Sequence, residues 1–369
     1  MLQENRLSKH LPIARIAIMR SLPGLGDLLC AVPAMRAVRF AFPEAKITLI
    51  GLVWARSFVE RFSHYLDDFL EFPGYPGIPE VAPPIHKIPQ FFANVQQQCF
   101  DLALQMHGSG IVSNSFSVLL GARVNAGFYQ PGQYCPDPNY FLPYPADQPE
   151  VSRHLRLMEY LRIPLQGDNL EFPLWQEDFL ALQQIEAIQA LKKGHYICVH
   201  PGASVPERRW SKELFAAIAD TIAARGFQVV LTGTAPEASL TQSIAEMMQT
   251  KPIDLAGQTS LGAMAALLSQ AVLLVCNDTG VSHLAAALQV KSVVIFSNSE
   301  PNRWAPLNRD RHRIVVDKGE GGDKGDMVDK KELFTMSPLS TLSTLSPTLE
   351  KVMAQVDELL PKGVLNATR

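Results

Sequence analysis

The 369-residue chain is short of cysteine, of net charge and of long apolar runs, and each shortage removes a class of protein. Its five cysteines (Cys30, Cys99, Cys135, Cys198 and Cys276) are odd in number, scattered, and nowhere at paired metal-ligand spacing. That argues against a disulfide framework and against a cysteine-bound metal, and a reduced, cytoplasmic setting is expected. With 33 basic and 36 acidic residues the formal net charge is −3, so nucleic acid is not an expected partner. No apolar stretch approaches the ~18 residues that a membrane-spanning helix needs, and the polar start through His10 does not read as a secretion signal.

What is present is a chain with 47% hydrophobic residues, enough to bury two cores. Short β-rich runs alternate with helical stretches throughout. Residues 13–19 form the first run and end in Leu22-Pro23-Gly24-Leu25-Gly26-Asp27, a glycine loop. A helix is expected from about Asp27 to Ala41, kinked by Pro33, and a strand over 47–50. Helix-then-strand pairs follow at 58–72 and 89–106, separated by a proline-rich loop over 73–84. A helix to Leu120 and a strand over 124–128 come next, then an irregular segment over 130–150 and a helix over 152–161. The stretch 163–173 reads as a linker.

The second half restarts with a helix over 177–192 and a strand over 196–199. Its loop is His200-Pro201-Gly202-Ala203-Ser204, followed by Glu207-Arg208-Arg209-Trp210 and by Ser211, a good cap for the helix 212–224. A strand at 229–231 runs into Thr232-Gly233-Thr234-Ala235-Pro236-Glu237 and another helix. The run Ala271–Val275 is a fully buried parallel strand, the segment from Leu284 is a helix, and Asn277-Asp278-Thr279-Gly280-Val281-Ser282-His283 joins them. In an open α/β sheet that junction lies at the carboxyl end of a strand, where free N–H groups and the helix dipole hold an anion such as phosphate. The expected domains are 1–165, 166–318, and a segment 319–369. In the last of these, a glycine- and charge-rich stretch and a Ser/Thr/Leu/Pro tract precede a helix that packs back on the body.

Each motif carries a plain reading beside a functional one. Gly24 and Gly26 suggest a dinucleotide loop, but Leu29 stands where a third glycine belongs and no acidic residue ends the second strand. The glycines otherwise turn the chain, with Asp27 capping a helix. Arg208 and Arg209 are either a solvated pair or a cationic clamp on a diphosphate, and one of them is favoured for the clamp. Trp210 reads as packing and Glu237 as an exposed glutamate unless it reaches a ribose. Residues 278–282 read either as a capped helix start or as a phosphate site made by the backbone of Thr279, Gly280 and Val281. His283 reads as packed, and His107 has no assigned role.

Taken together, these loops resemble bacterial glycosyltransferase family 9, the ADP-heptose:lipopolysaccharide heptosyltransferases. The resemblance runs from Ile16 to about Pro306 and rests on Leu25-Gly26-Asp27 with Pro33, on residues 200–204 with Arg208-Arg209-Trp210, on Thr232-Gly233 with Glu237, on Asp278-Thr279-Gly280-Val281-Ser282-His283, and on Pro301 with Trp304-Ala305-Pro306. It implies an α/β GT-B fold in which two Rossmann-like domains face each other across a cleft, and an inverting transfer without a catalytic metal. It also implies a nucleotide-sugar co-substrate such as ADP-heptose, no other cofactor, and a lipopolysaccharide or other surface-glycan acceptor. Peripheral contact with the inner membrane is compatible with that acceptor. By motif, Asp27 takes the place of the general base with Gly24 and Gly26 on the acceptor side, and Arg208 that of the residue steadying the diphosphate, where many relatives carry lysine. The donor side comprises Gly202, Ser204, Arg209, Gly233, Thr234, Glu237 and residues 278–283. A nucleotide-sugar epimerase of the same architecture and a non-catalytic sugar-nucleotide binder are the competing readings.

Overall fold

The computed structural model describes Leu7, residues 12–317 and residues 347–360. The chain packs as two units, 1–173 and 174–369. The division falls after Pro173 rather than at 165/166 because 166–173 is fastened to the first unit. Arg36 donates to the carbonyls of Gln166 (3.2 Å) and Asn169 (2.8 Å). Arg61 donates to that of Pro173 (2.7 Å) and lies over the Phe172 ring.

In unit 1 the strands are β1 (Arg15–Met19), β2 (Lys46–Gly51), β3 (Asp68–Glu71), β4 (Leu102–Gln105), β5 (Val124–Tyr129) and β6 (Phe141–Pro143). They form one parallel sheet in the order β3-β2-β1-β4-β5-β6. The helices are α1 (Leu25–Leu29), α2 (Val32–Ala41), α3 (Ala55–Arg61), α4 (Ile88–Gln96), α5 (Ser113–Leu119) and α6 (Glu150–Tyr160). Parallel strands covered on both faces read as continuous apolar runs, which is why β1, β2 and β4 were visible in the sequence.

Two expectations are corrected here. The helix drawn over 27–41 is two helices, and Pro33 sits in the first turn of α2, where its missing N–H costs nothing, instead of kinking a longer one. The segment 130–150 is not wholly irregular, because β6 lies within it as a three-residue edge strand ending in Pro143, with Phe141 buried. An edge tolerates proline that a central strand would not.

Unit 2 repeats the plan with β7 (Tyr196–His200), β8 (Gln228–Leu231), β9 (Ile253–Asp254), β10 (Leu273–Asn277), β11 (Ser292–Phe296) and β12 (His312–Val316). The order is β12-β11-β10-β7-β8-β9, again parallel. The helices are α7 (Gln176–Gln183), α8 (Lys212–Ala224), α9 (Ala238–Met247), α10 (Leu261–Gln270), α11 (Gly280–Ala287), α12 (Pro301–Trp304) and α13 (Pro347–Leu359). The helix expected over 177–192 stops at Gln183, since Ile185 takes an extended backbone and only a single 3-10 turn follows at Glu186–Ile188. β12 extends the sheet by a strand that the basic cluster before it had concealed.

The core of unit 2 gathers Val199, Phe215, Ile218, Val275 and Ile295 with Val352 and Val356, so α13 completes it. The stretch 319–331 and the tract over 337–346 lie outside the described residues. Among the described residues no helix is long and apolar enough to cross a membrane.

Candidate active site

In doubly wound sheets a ligand sits beyond the carboxyl ends of the strands where the strand order reverses. That point lies between β7 and β10 in unit 2 and between β1 and β4 in unit 1. The sequence motifs occupy those strand ends.

In unit 2, Asn277 ends β10 and is fully buried. Its Nδ2 donates to the Pro201 carbonyl (2.7 Å), and its Oδ1 accepts from the Trp210 N–H (3.0 Å). One side chain thereby fastens the loop after β7 at both ends. Inside that loop Arg209 Nε donates to the Ala203 carbonyl (2.9 Å), so Arg209 braces the turn. Arg208 is half-buried on a 3-10 turn, and among the described residues its guanidinium has no hydrogen-bond or ion-pair partner. Ser204 is exposed. Trp210 packs edge-on to Phe215 and donates through Nε1 to Asp317 (2.8 Å). Asp317 is 3.3 Å from the Thr348 hydroxyl of α13.

Helix α11 starts at Gly280 with Thr279 as its N-cap, and the Thr279 side chain makes no cap bond. Asp278 precedes the cap and is buried, with its N–H bonded to the Ile295 carbonyl. The capped start therefore does not run through Asp278 as N-cap residue. Ser282 is committed internally, its N–H and hydroxyl both donating to the Thr279 carbonyl. The first N–H groups of a helix have no intrahelical acceptor, which leaves those of Gly280 and Val281 for a ligand. His283 is buried with its ring edge-on to Trp304.

Glu237 is buried, against the expectation of an exposed glutamate. Its Oε2 accepts from the Thr234 N–H and hydroxyl, both at 2.8 Å, which closes the turn that opens at Gly233. A Cβ at residue 202 would lie 2.2 Å from Glu237 Oε1, so only glycine fits there. Burial lowers the His200 pKa, against the opposing charge of Glu237.

In unit 1, Asp27 sits in the first turn of α1. Its Oδ2 accepts from the Gly24 N–H (3.2 Å), and a Cβ at residue 24 would lie 2.5 Å from that oxygen. Gly26 is buried in the same turn. Behind it lies a residue to which the sequence assigned no role. Arg20 directly follows β1 and is 1% exposed. It donates to the main-chain carbonyls of Asp27 (2.7 Å) and Met106 (2.6 Å) and to Glu150 Oε1 (3.1 Å), with Nη2 3.9 Å from Asp27 Oδ1.

Glu150 starts α6 and also binds Arg153 (2.5 Å), while His154 Nε2 lies 3.4 Å away. Burial opposes ionisation of Glu150, but the His154 contact and the charges of Arg20 and Arg153 outweigh it and hold the group well below the usual carboxylate range. Burial, with Arg20's charge, lowers His154 to about 4 and His107 to about 4. A charge placed directly after an apolar strand was the signal that could have found Arg20, since such a group is retained only with partners. Glu150 carried no comparable signal. Among the described residues no group of three or more His, Cys, Asp and Glu is placed to hold a metal ion.

The model of glycosyltransferase family 9 (heptosyltransferase) matches residues 88–331, which is most of the chain. The chain belongs to that family. Among curated relatives, the lipopolysaccharide heptosyltransferase 3 of Escherichia coli K12 is 33% identical over 117 residues, 31% of this chain and 34% of that protein. The chain spans between about a third and a half of the length of the curated relatives it matches. Two solved structures extend over nearly all of it. A glycosyl transferase family 9 protein from Veillonella parvula has a TM-score of 0.73 at 19% identity, covering 95% of this chain and 98% of its own. The E. coli ADP-heptose lps heptosyltransferase II has a TM-score of 0.66 at 20% identity, covering 93% and 99%. At that identity they speak to fold alone, and the fold is the GT-B type with two Rossmann-like units.

Asn277→Ala leaves the Pro201 carbonyl and the Trp210 N–H unpaired in a dry interior. It is expected to destabilise unit 2 by about 3 kcal/mol, read as a fall in its melting transition. A second expectation concerns pH. His107, His154 and His312 are each held near 4 in the folded chain, chiefly by burial, against 6.5 when unfolded. The unfolded chain therefore binds more protons between those values, and stability falls as pH drops from 6.5 towards 4. Below that the folded histidines protonate too, and their contribution levels off. In urea titrations across this window, His154→Gln removes up to about 1.4 kcal/mol per pH unit from the slope.

Proposed function

We propose that the protein transfers a heptose from ADP-heptose to a lipopolysaccharide or related surface-glycan acceptor, with inversion at the anomeric carbon and without a catalytic metal. The observation that carries this reading is the construction of the unit 2 switch point. There a helix start with N–H groups unspent among the described residues and a loop presenting Arg208, which has no partner among them, are locked together by Asn277. These are the groups a leaving diphosphate needs when no metal neutralises it, because charge grows on its oxygens as the glycosidic bond breaks. Glu237, beside Gly202 in the same unit, has Oε1 as the oxygen to meet a ribose hydroxyl, since its Oε2 is spent on Thr234.

Asp27 is the base. It takes the proton of the acceptor hydroxyl as that oxygen bonds to the anomeric carbon, and the electron pair of the broken C–O bond leaves with ADP. Arg20, gripping the Asp27 carbonyl, fixes where the carboxylate stands. Similarity to lipopolysaccharide heptosyltransferase 3 and to ADP-heptose lps heptosyltransferase II supports this choice of donor and acceptor. An acceptor of that kind places the protein at the cytoplasmic face of the inner membrane. No cofactor beyond the co-substrate enters the scheme.

A thermal-shift panel with ADP, GDP and UDP tests the donor site. ADP at a hundredfold its dissociation constant is expected to stabilise the protein by ~2.7 kcal/mol, and Arg208→Gln to lose most of that shift. Asp27→Asn is expected to keep the ADP shift while transfer falls by about a hundredfold or more. A protein that responds to none of the three nucleotides, or an Asp27→Asn variant that transfers heptose normally, would overturn the reading.

A further inference from the structure

At the carboxyl end of β4, next to the end of β1, stands His107, which the transfer scheme does not use. It is held on every side. Its N–H donates to Gln105 Oε1 (3.0 Å), its carbonyl accepts from the Ser113 hydroxyl (2.8 Å), and its Nδ1 accepts from the Ser21 N–H (3.2 Å). With Nδ1 accepting, the ring proton is on Nε2, which lies 3.7 Å from Glu80 Oε1. Burial and Arg20's charge keep this ring neutral at physiological pH.

Glu80 comes from the proline-rich loop between β3 and α4, so the loop is drawn to the same strand ends as Asp27. Its side chain is 13% exposed, and its Oε2 is buried and accepts no hydrogen bond among the described residues. Burial raises the Glu80 pKa, a hydrogen bond from its own amide partly offsets that, and the charge of Asp27 adds to the rise.

A buried carboxylate oxygen without a donor costs about 1–3 kcal/mol, which the fold would shed by leaving it in water unless a ligand supplied the donor. The field of two carboxylates repels a phosphate or a carboxyl group and accepts an uncharged O–H. We propose that Glu80, which lies beside His107, is a hydroxyl-binding group of the acceptor subsite. It takes the O–H adjacent to the one that Asp27 deprotonates, on a neutral vicinal diol of the acceptor sugar. The inference rests on Asp27 being the base, and it adds what that assignment lacks, a second point of attachment that selects which hydroxyl is presented. Two points on one ring fix its rotation, and orientation of that kind is a large part of what an enzyme contributes to a group transfer.

The test is steady-state transfer from ADP-heptose to de-O-acylated lipopolysaccharide taken from cells deleted for this chain, with donor and acceptor varied separately. Glu80→Gln is expected to raise the acceptor KM roughly tenfold and leave the donor KM and the ADP thermal shift as they are. Glu80→Asp should recover part of the loss. His107→Gln, which removes the ring packed beside Glu80, should raise the acceptor KM by a smaller factor. A merely structural role would move both substrates together. An unchanged acceptor KM in Glu80→Gln, while Asp27→Asn abolishes transfer, overturns the inference and leaves the transfer reading standing. Normal transfer by Asp27→Asn removes both. If Glu80→Gln does not fold, the acceptor KM of His107→Gln decides: unchanged, it overturns the inference.

Discussion

The second unit of this molecule depends on one buried amide. Where the strand order reverses, the connections after neighbouring strands leave in opposite directions, and the loops have no sheet partner to hold them. Asn277 supplies the missing connection between β7 and β10, with one hydrogen bond at each end of the 201–210 loop. Everything between those two bonds inherits its position from them, including the carbonyl that Arg209 grips and the turn that carries Arg208. Asparagine suits the task because it donates and accepts at once and carries no charge to desolvate. An aspartate there could satisfy the Trp210 N–H but would face the Pro201 carbonyl with a second acceptor.

Unit 1 solves the corresponding problem with charge. Arg20 is enclosed, and a guanidinium so placed is tolerable only if its donors are used. Two carbonyls and Glu150 use them, and Glu150 is itself held by Arg153 and approached by His154. Removing Arg20 or Glu150 would strand a buried charge, and one of the contacts of this cluster is the backbone of Asp27. The two units thus place their functional groups by different chemistry, a neutral two-way amide in one and a compensated ion cluster in the other.

The alternation of strand, loop and helix was legible because both sheets are parallel and covered on both faces, so their strands are unbroken apolar runs. The junction at 278–283 was legible for the same reason: β10 and α11 announce it from either side. β6 and β12 were not, because one is three residues ending in proline and the other opens with His312 and Arg313, which look like surface. The plain reading of Glu237, an exposed glutamate unless it reaches a ribose, missed its burial, since the capping turn that buries it is only a local Thr-x-x-Glu. Arg20 with Glu150, and His107 with Glu80, pair across long separations in the chain. Periodicity reports which face of an element is apolar and says nothing about which distant polar group will meet it.

Trp210 reaches Asp317, and Asp317 reaches Thr348 at the start of α13, which also fills the core of unit 2 with Val352 and Val356. The loop that carries Arg208 therefore leans on a helix encoded far downstream. During synthesis the strands and loops of unit 2 leave the ribosome first, yet the segment holding Arg208 gains its last support only when α13 has emerged and docked. A nascent chain that has already made every residue of the loops after β7 and β10 would still hold them loosely, and their final geometry would arrive late, as a property of the finished product.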